Sequence, residues 1–126
     1  MLNVNLPETL ASVTAAFEAY EAALMRNDVE ALIPFFWQSP QAVRFGATEN
    51  LYGWDAIVNF RQNRQPPLPR TLMNTVITTF GEDYANISTE YRNSAGVCGR
   101  QMQSWVRTDA GWRIAAAHIS LRPEIS

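Results

Sequence analysis

Apolar residues recur at Leu10, Val13, Phe17, Tyr20 and Leu24, shortly after a proline at position 7. Steps of three and four put them on one stripe of a helix, and proline suits the first turn because its missing N–H is not needed there. An amphipathic helix of about five turns is predicted. Asn27-Asp28 interrupts the pattern and can cap a second, shorter helix through Leu32 and Phe36, with Glu30 in its acid-favouring first turn. Ser39-Pro40 ends this hairpin, and a short apolar strand, Ala42-Val43-Arg44-Phe45-Gly46, follows. Thr48 to Gly53 reads as a polar loop, and a third helix runs from Trp54 to Asn63 with Ile57 and Phe60 on its buried side. Gln65-Pro66-Pro67-Leu68-Pro69 stops that helix, because proline removes a donor and disfavours helix in the residue before it.

From Arg70 onward the period changes to two and β-branched residues accumulate over Thr71 to Phe80, Tyr84 to Arg92, Arg100 to Arg107 and Gly111 to Leu121. The turns between them are Gly81-Glu82-Asp83, Asn93 to Gly99 and Thr108-Asp109-Ala110-Gly111. The predicted order is α-α-β-α-β-β-β-β, an α+β class in which three helices cover the concave side of a curved antiparallel sheet. Nothing in the chain remains to cover the other sheet face. Met102, Val106 and Ile119 are therefore expected to contribute to a homodimer face.

Length supports a single domain over residues 1–126. A net charge of -2 and a pI near 5.3, with basic residues scattered rather than clustered, argue against nucleic-acid or membrane-surface binding. The expected partner is a small molecule, and the expected location is cytoplasmic, because no leader-like or membrane-length apolar stretch is seen. The single cysteine, Cys98, allows no internal disulfide, and one histidine, His118, is too few for a typical metal site. No cofactor is expected.

Arg44 stands out because a guanidinium stays charged at physiological pH, so a place in an apolar strand calls for an anionic partner. A substrate carboxylate would serve, as would a structural pair with Glu49. Tyr20 lies on the apolar stripe of the first helix, where the ordinary role is a buried ring whose hydroxyl finds a nearby acceptor. His118 and Ser120 fall where the last strand could line an interior, by alternation with Ala116, Ile114 and Trp112. Gln103 shares parity with Gln101 and Trp105 and could bind a urea-like carbonyl, while Trp37 and Tyr52 could wall a pocket mouth. Arg61, Arg64 and Arg70 form a modest basic cluster around the proline connector, which a solvated helix face explains more simply than a second anion site.

The element order, with Gly53-Trp54-Asp55-Ala56-Ile57 and Gly111-Trp112-Arg113-Ile114 through His118-Ile119-Ser120, resembles the nuclear-transport-factor-2-like, or SnoaL-like, superfamily. That resemblance implies a cone-shaped sheet around an internal pocket and, often, a homodimer. It is weak on function, since one fold hosts many chemistries. Longer segments, among them Phe36-Trp37-Gln38-Ser39-Pro40, Arg44 through Gly53, Gly99-Arg100-Gln101 and Ala117 through Leu121, resemble the AtzH-like proteins of cyanuric acid catabolism. This implies a decarboxylating amidohydrolase converting 1,3-dicarboxyurea to allophanate, with a functional link to an amidase. It also implies catalytic roles for Tyr20 and Arg44, which occupy the matching positions. Two other readings stand beside it: a non-catalytic module for a small anion, and an isomerase or dehydratase. The latter needs an interior carboxylate or His-Asp pair, whereas Asp28, Asp55, Asp83 and Asp109 all fall at caps or turns.

Overall fold

The computed structural model describes residues 1–123. Helix α1 spans Pro7–Met25, with proline in its first turn and Glu8 on the positive end of its dipole. It ends at Asn27, whose left-handed backbone (φ 53°) is one that asparagine tolerates better than most residues. Helix α2, Val29–Leu32, follows at once, and the Asp28 carboxylate caps it by accepting from the Ala31 N–H at 3.2 Å. A 3₁₀ turn over Ile33–Phe35 completes the segment expected to be one short helix, because Pro34 cannot donate to a continuing α-helical ladder.

The strands are β1 (Val43–Phe45), β2 (Asn50–Tyr52), β3 (Arg70–Phe80), β4 (Tyr84–Asn93), β5 (Cys98–Thr108) and β6 (Gly111–Arg122), and helix α3 (Trp54–Asn63) lies between β2 and β3. They form one open sheet in the order β2-β1-β6-β5-β4-β3. Two features depart from the expected antiparallel sheet. The segment read as a polar loop contains β2, which pairs antiparallel with β1, and β1 lies parallel to β6, so the sheet is mixed. The cause is tertiary: β6 is long enough to offer Ala116, Ala117 and His118 as a template for three residues of β1. The free edge of β3 is partly covered by the N-terminal segment, where Asn5 exchanges hydrogen bonds with Thr79.

The helices pack on one sheet face. Val13, Phe17 and Tyr20 of α1 meet Ile87, Trp105 and Ile114 of the strands in a common core. The Trp112 indole N–H donates to Ser12 Oγ at 2.9 Å and ties β6 to α1. Residue Ala115 has no partner across β5, because Ser104 faces Ala116 while Trp105 faces Ile114. This β-bulge reverses the side-chain alternation along β6. Ile114 and Trp112 point into the core, whereas Ala116, His118 and Ser120 belong to the outer face. The same inversion turns Ile119 inward, opposite Gln101, so of the residues expected on an outer interface only Met102 and Val106 point outward.

No helix among the described residues is long and apolar enough to cross a membrane. Nor do the described residues contain a group of three or more His, Cys, Asp or Glu side chains that could hold a metal ion.

Candidate active site

Tyr20 is buried at 2 % exposure, held edge-on by Phe35, Phe36 and Trp105 with ring centroids 5.8 to 6.0 Å away. Three perpendicular aromatic contacts fix the phenol plane and so the position of its hydroxyl. The partner of that hydroxyl is Arg61 of α3, whose Nη2 donates to it at 3.3 Å. Trp105 in turn donates its indole N–H to Gln103 Oε1 at 3.0 Å, which places the fully buried Gln103 behind the same wall.

Arg44, in the middle of β1, points to the helix-covered side and is also buried. Its guanidinium carbon lies 4.9 Å from the centroid of the Phe60 ring, and its Nη1 contacts Glu49 Oε1 at 2.7 Å. Of the two partners weighed for Arg44, the structural one is therefore present. Gly46 makes it possible: a Cβ at that position would collide with the folded-back Glu49 carboxylate, so only glycine leaves room for the pair. Thr48 Oγ1 donates to the other Glu49 oxygen at 2.6 Å. Burial works to raise the Glu49 pKa, but the hydrogen bonds from Thr48 and Arg44 and the Arg44 charge outweigh it and hold the carboxylate below its usual range.

The residues read as a solvated basic cluster behave otherwise. Arg61 is 4 % exposed, because it follows Ile57 by one helical turn on the face of α3 that packs inward. Arg64 remains accessible but lies over the Phe60 ring at 5.3 Å, with its pKa lowered by partial desolvation and then by the Arg44 charge. Arg70 is largely buried and grips Glu21 of α1 at 2.6 and 2.9 Å, with Gln101 as a third member at 3.2 Å and the Tyr91 ring at 4.6 Å. Glu21 is the interior carboxylate that reading only the aspartates overlooked, and Arg70 neutralises it. Both buried charges had a sequence signal: Glu21 continues Val13 and Phe17 at steps of four, and Arg61 continues Ile57 in the same way.

The remaining candidates do not converge with Tyr20 and Arg44. His118 is exposed on the outer sheet face, edge-on to Phe45 at 5.9 Å, and Ser120 lies on that same face beyond the bulge. Tyr52 is 66 % exposed and packs on the other side of Phe45 at 5.8 Å. Trp37 is half-buried against the core and lines a shallow groove with Trp54 and Arg113. The group assembled in the interior is thus Tyr20, Arg44, Arg61 and Gln103, around Phe60 and Trp105.

Comparison with solved structures places this arrangement in a lineage. A protein with unknown function from the DUF3225 family of Pectobacterium atrosepticum is 52% identical, over 95% of each chain, with a TM-score of 0.92. A cystatin-like fold protein from Burkholderia xenovorans is 45% identical over 99% of this chain and 100% of that one, with a TM-score of 0.94. An NTF2-like protein of unknown function from Pseudomonas putida, at 15% identity, covers 94% of this chain and 90% of its own with a TM-score of 0.80, and shares the fold alone. Among curated proteins none matches. The AtzH-like family model matches residues 2–124, nearly the whole length, so this NTF2-like chain belongs to the AtzH-like family.

Proposed function

We propose that the protein is a decarboxylating amidohydrolase acting on a small N-carboxylated urea such as 1,3-dicarboxyurea. The observation that carries this reading is a buried phenol set among guanidiniums, with Tyr20 hydrogen-bonded to Arg61 and Arg44 beside the shared Phe60 ring. The substrate is a dianion. The bond from a terminal carboxylate carbon to its nitrogen breaks, its electron pair moves to nitrogen, and one proton arrives there, so the dianion and a proton become allophanate and carbon dioxide. Hydrolysis adds water to the same carbon and gives bicarbonate instead.

Such chemistry needs a fixed carboxylate and a proton at the departing nitrogen. Arg44 holds the carboxylate, exchanging or sharing its contact with Glu49, and the planar guanidinium fork sets the carboxylate plane. Tyr20 is the donor. Because its oxygen already accepts from Arg61, its own O–H is left to point at substrate, and the accepted bond polarises that O–H. Gln103 stands nearby as a candidate for the central carbonyl. The test is direct: purified protein should consume 1,3-dicarboxyurea faster than the spontaneous decay in matched buffer, with allophanate as product. A rate equal to buffer would sink the reading in favour of a plain anion-binding module.

The outer sheet face supports a homodimer. It presents Met73, Val76, Tyr84 and Met102, all well exposed and without cover among the described residues. A solution mass near twice 14.2 kDa is expected from light scattering, and a monomeric mass at micromolar concentration would exclude it.

A further inference from the structure

Arg44 and Arg70 each have a carboxylate, Glu49 and Glu21. Arg61 is buried as deeply as Arg44, and among the described residues no carboxylate reaches it. Among the described residues its Nε has no hydrogen-bond partner, and its one side-chain bond, to the Tyr20 hydroxyl, is long. What surrounds it is aromatic: the Phe36 ring at 5.5 Å and the Phe60 ring at 5.9 Å. Aromatic faces attract a cation but do not satisfy a guanidinium's five donors. Burial first, and then the charges of Arg44, Arg64 and Arg70, press its pKa down to about 10, against only the Tyr20 hydroxyl as an opposing influence. It remains a cation at neutral pH. A buried charge with no counterion and three like charges nearby is a poor way to stabilise a fold. It is a good way to await an anion.

We propose that Arg61 is the second carboxylate anchor of the site, so that the protein selects dianions with a carboxylate at each end over monoanions of the same shape. Arg44 takes one end and Arg61 the other, with Phe60, beside which both guanidiniums lie at 4.9 and 5.9 Å, as the floor between them. Arg64, at 5.3 Å from the same ring and accessible, stands at the rim where it attracts the incoming dianion. When carboxylate oxygens engage the Arg61 fork, the bond to Tyr20 is kept or tightened, so occupancy of the far end also orients the proton donor. This inference rests on the proposed reaction for the identity of the substrate, but not for the charge of the ligand.

The test uses stable probes. Glutarate has the same five-atom backbone as 1,3-dicarboxyurea and two carboxylates; glutaramate replaces one of them by an amide. Calorimetric titration of the wild-type protein should show glutarate bound about thirtyfold more tightly than glutaramate. Arg61→Gln should bring that ratio below about threefold while leaving glutaramate affinity nearly unchanged, and Arg61→Lys should retain part of it. A wild-type protein without preference, or an Arg61→Gln variant that keeps it, overturns the assignment.

Melting of the ligand-free protein separates a ligand anchor from a structural arginine. Removing an uncompensated buried charge in Arg61→Met should raise Tm by about 5 °C, whereas losing a structural cation would lower it and count against the proposal. If 1,3-dicarboxyurea is not turned over but the glutarate preference depends on Arg61, the reaction falls and the anchor stands. If it is turned over and the preference ignores Arg61, the anchor falls alone.

Discussion

Tyr20→Phe should reduce turnover of 1,3-dicarboxyurea by roughly 10²- to 10³-fold, the usual worth of a positioned proton donor. The substitution deletes one oxygen and leaves the ring, whose edge-on contacts with Phe35, Phe36 and Trp105 hold it in place. It also removes the acceptor of the 3.3 Å bond from Arg61, a long bond and therefore a weak one. Stability should fall by about 1 kcal/mol at most, a shift of a few degrees in Tm. The loss should lie in kcat rather than KM, since the proton moves only in the transition state while the guanidiniums still hold the anion. Background decay has to be subtracted, because the substrate decomposes unaided. A variant with wild-type kcat would remove Tyr20 from the chemistry and return it to the wall.

The largest expected effect on stability lies elsewhere. Glu21→Ala would leave Arg70 largely buried and without its carboxylate, and it removes the acceptor that Gln101 Nε2 reaches at 3.4 Å. Losing one partner of a buried pair costs about 3–5 kcal/mol, which for a chain of this size lowers Tm by roughly 10–20 °C. The double variant Glu21→Leu/Arg70→Met should recover most of that loss, since the charge that needed a partner is gone. A thermal-melting double-mutant cycle reads the coupling, and a double variant no more stable than Glu21→Ala would show that the pair does not act as one unit. Turnover in the double variant should stay closer to wild type than in Tyr20→Phe, because Arg70 is already neutralised.

The long elements were legible before any tertiary information. The three- and four-residue steps of α1, the Asp28 cap, the stretch Trp54–Asn63 and the four long strands came out nearly where the periodicity put them. Those signals are local, because a helix or strand long enough to bury one face must repeat its apolar residues at its own period. Strand β2 is not legible in the sequence because three residues carry no period; pairing with β1 defines it. His118 and Ser120 face outward, against the simple alternation of β6, for a different reason. Alternation along β6 holds only while the register does, and one unpaired residue, Ala115, inverts every assignment beyond it.

The site divides along the same line. Arg44 stands out because it breaks an apolar strand, whereas Tyr20 continues the apolar stripe of α1 and only the resemblance to a known family singles it out. Arg61 and Glu21 also fall on apolar stripes by their spacing, yet Arg61 reads as solvated because it sits among other arginines beside a proline-rich stretch, and a search confined to aspartates misses Glu21.

By itself the sequence determined the order of the long elements, the inward stripe of α1 and the presence of a cation in β1, since these follow from periodicity and charge within a few consecutive residues. Only the tertiary structure decided which cation has a carboxylate of its own. Glu49 reaches Arg44 through the space that Gly46 leaves, and Glu21 reaches Arg70 across 49 residues of chain. Arg61 is left with a phenol. Pairing of charges depends on distances between elements far apart in sequence, and it is this pairing that makes Arg61, rather than Arg44, the guanidinium still in need of an anion.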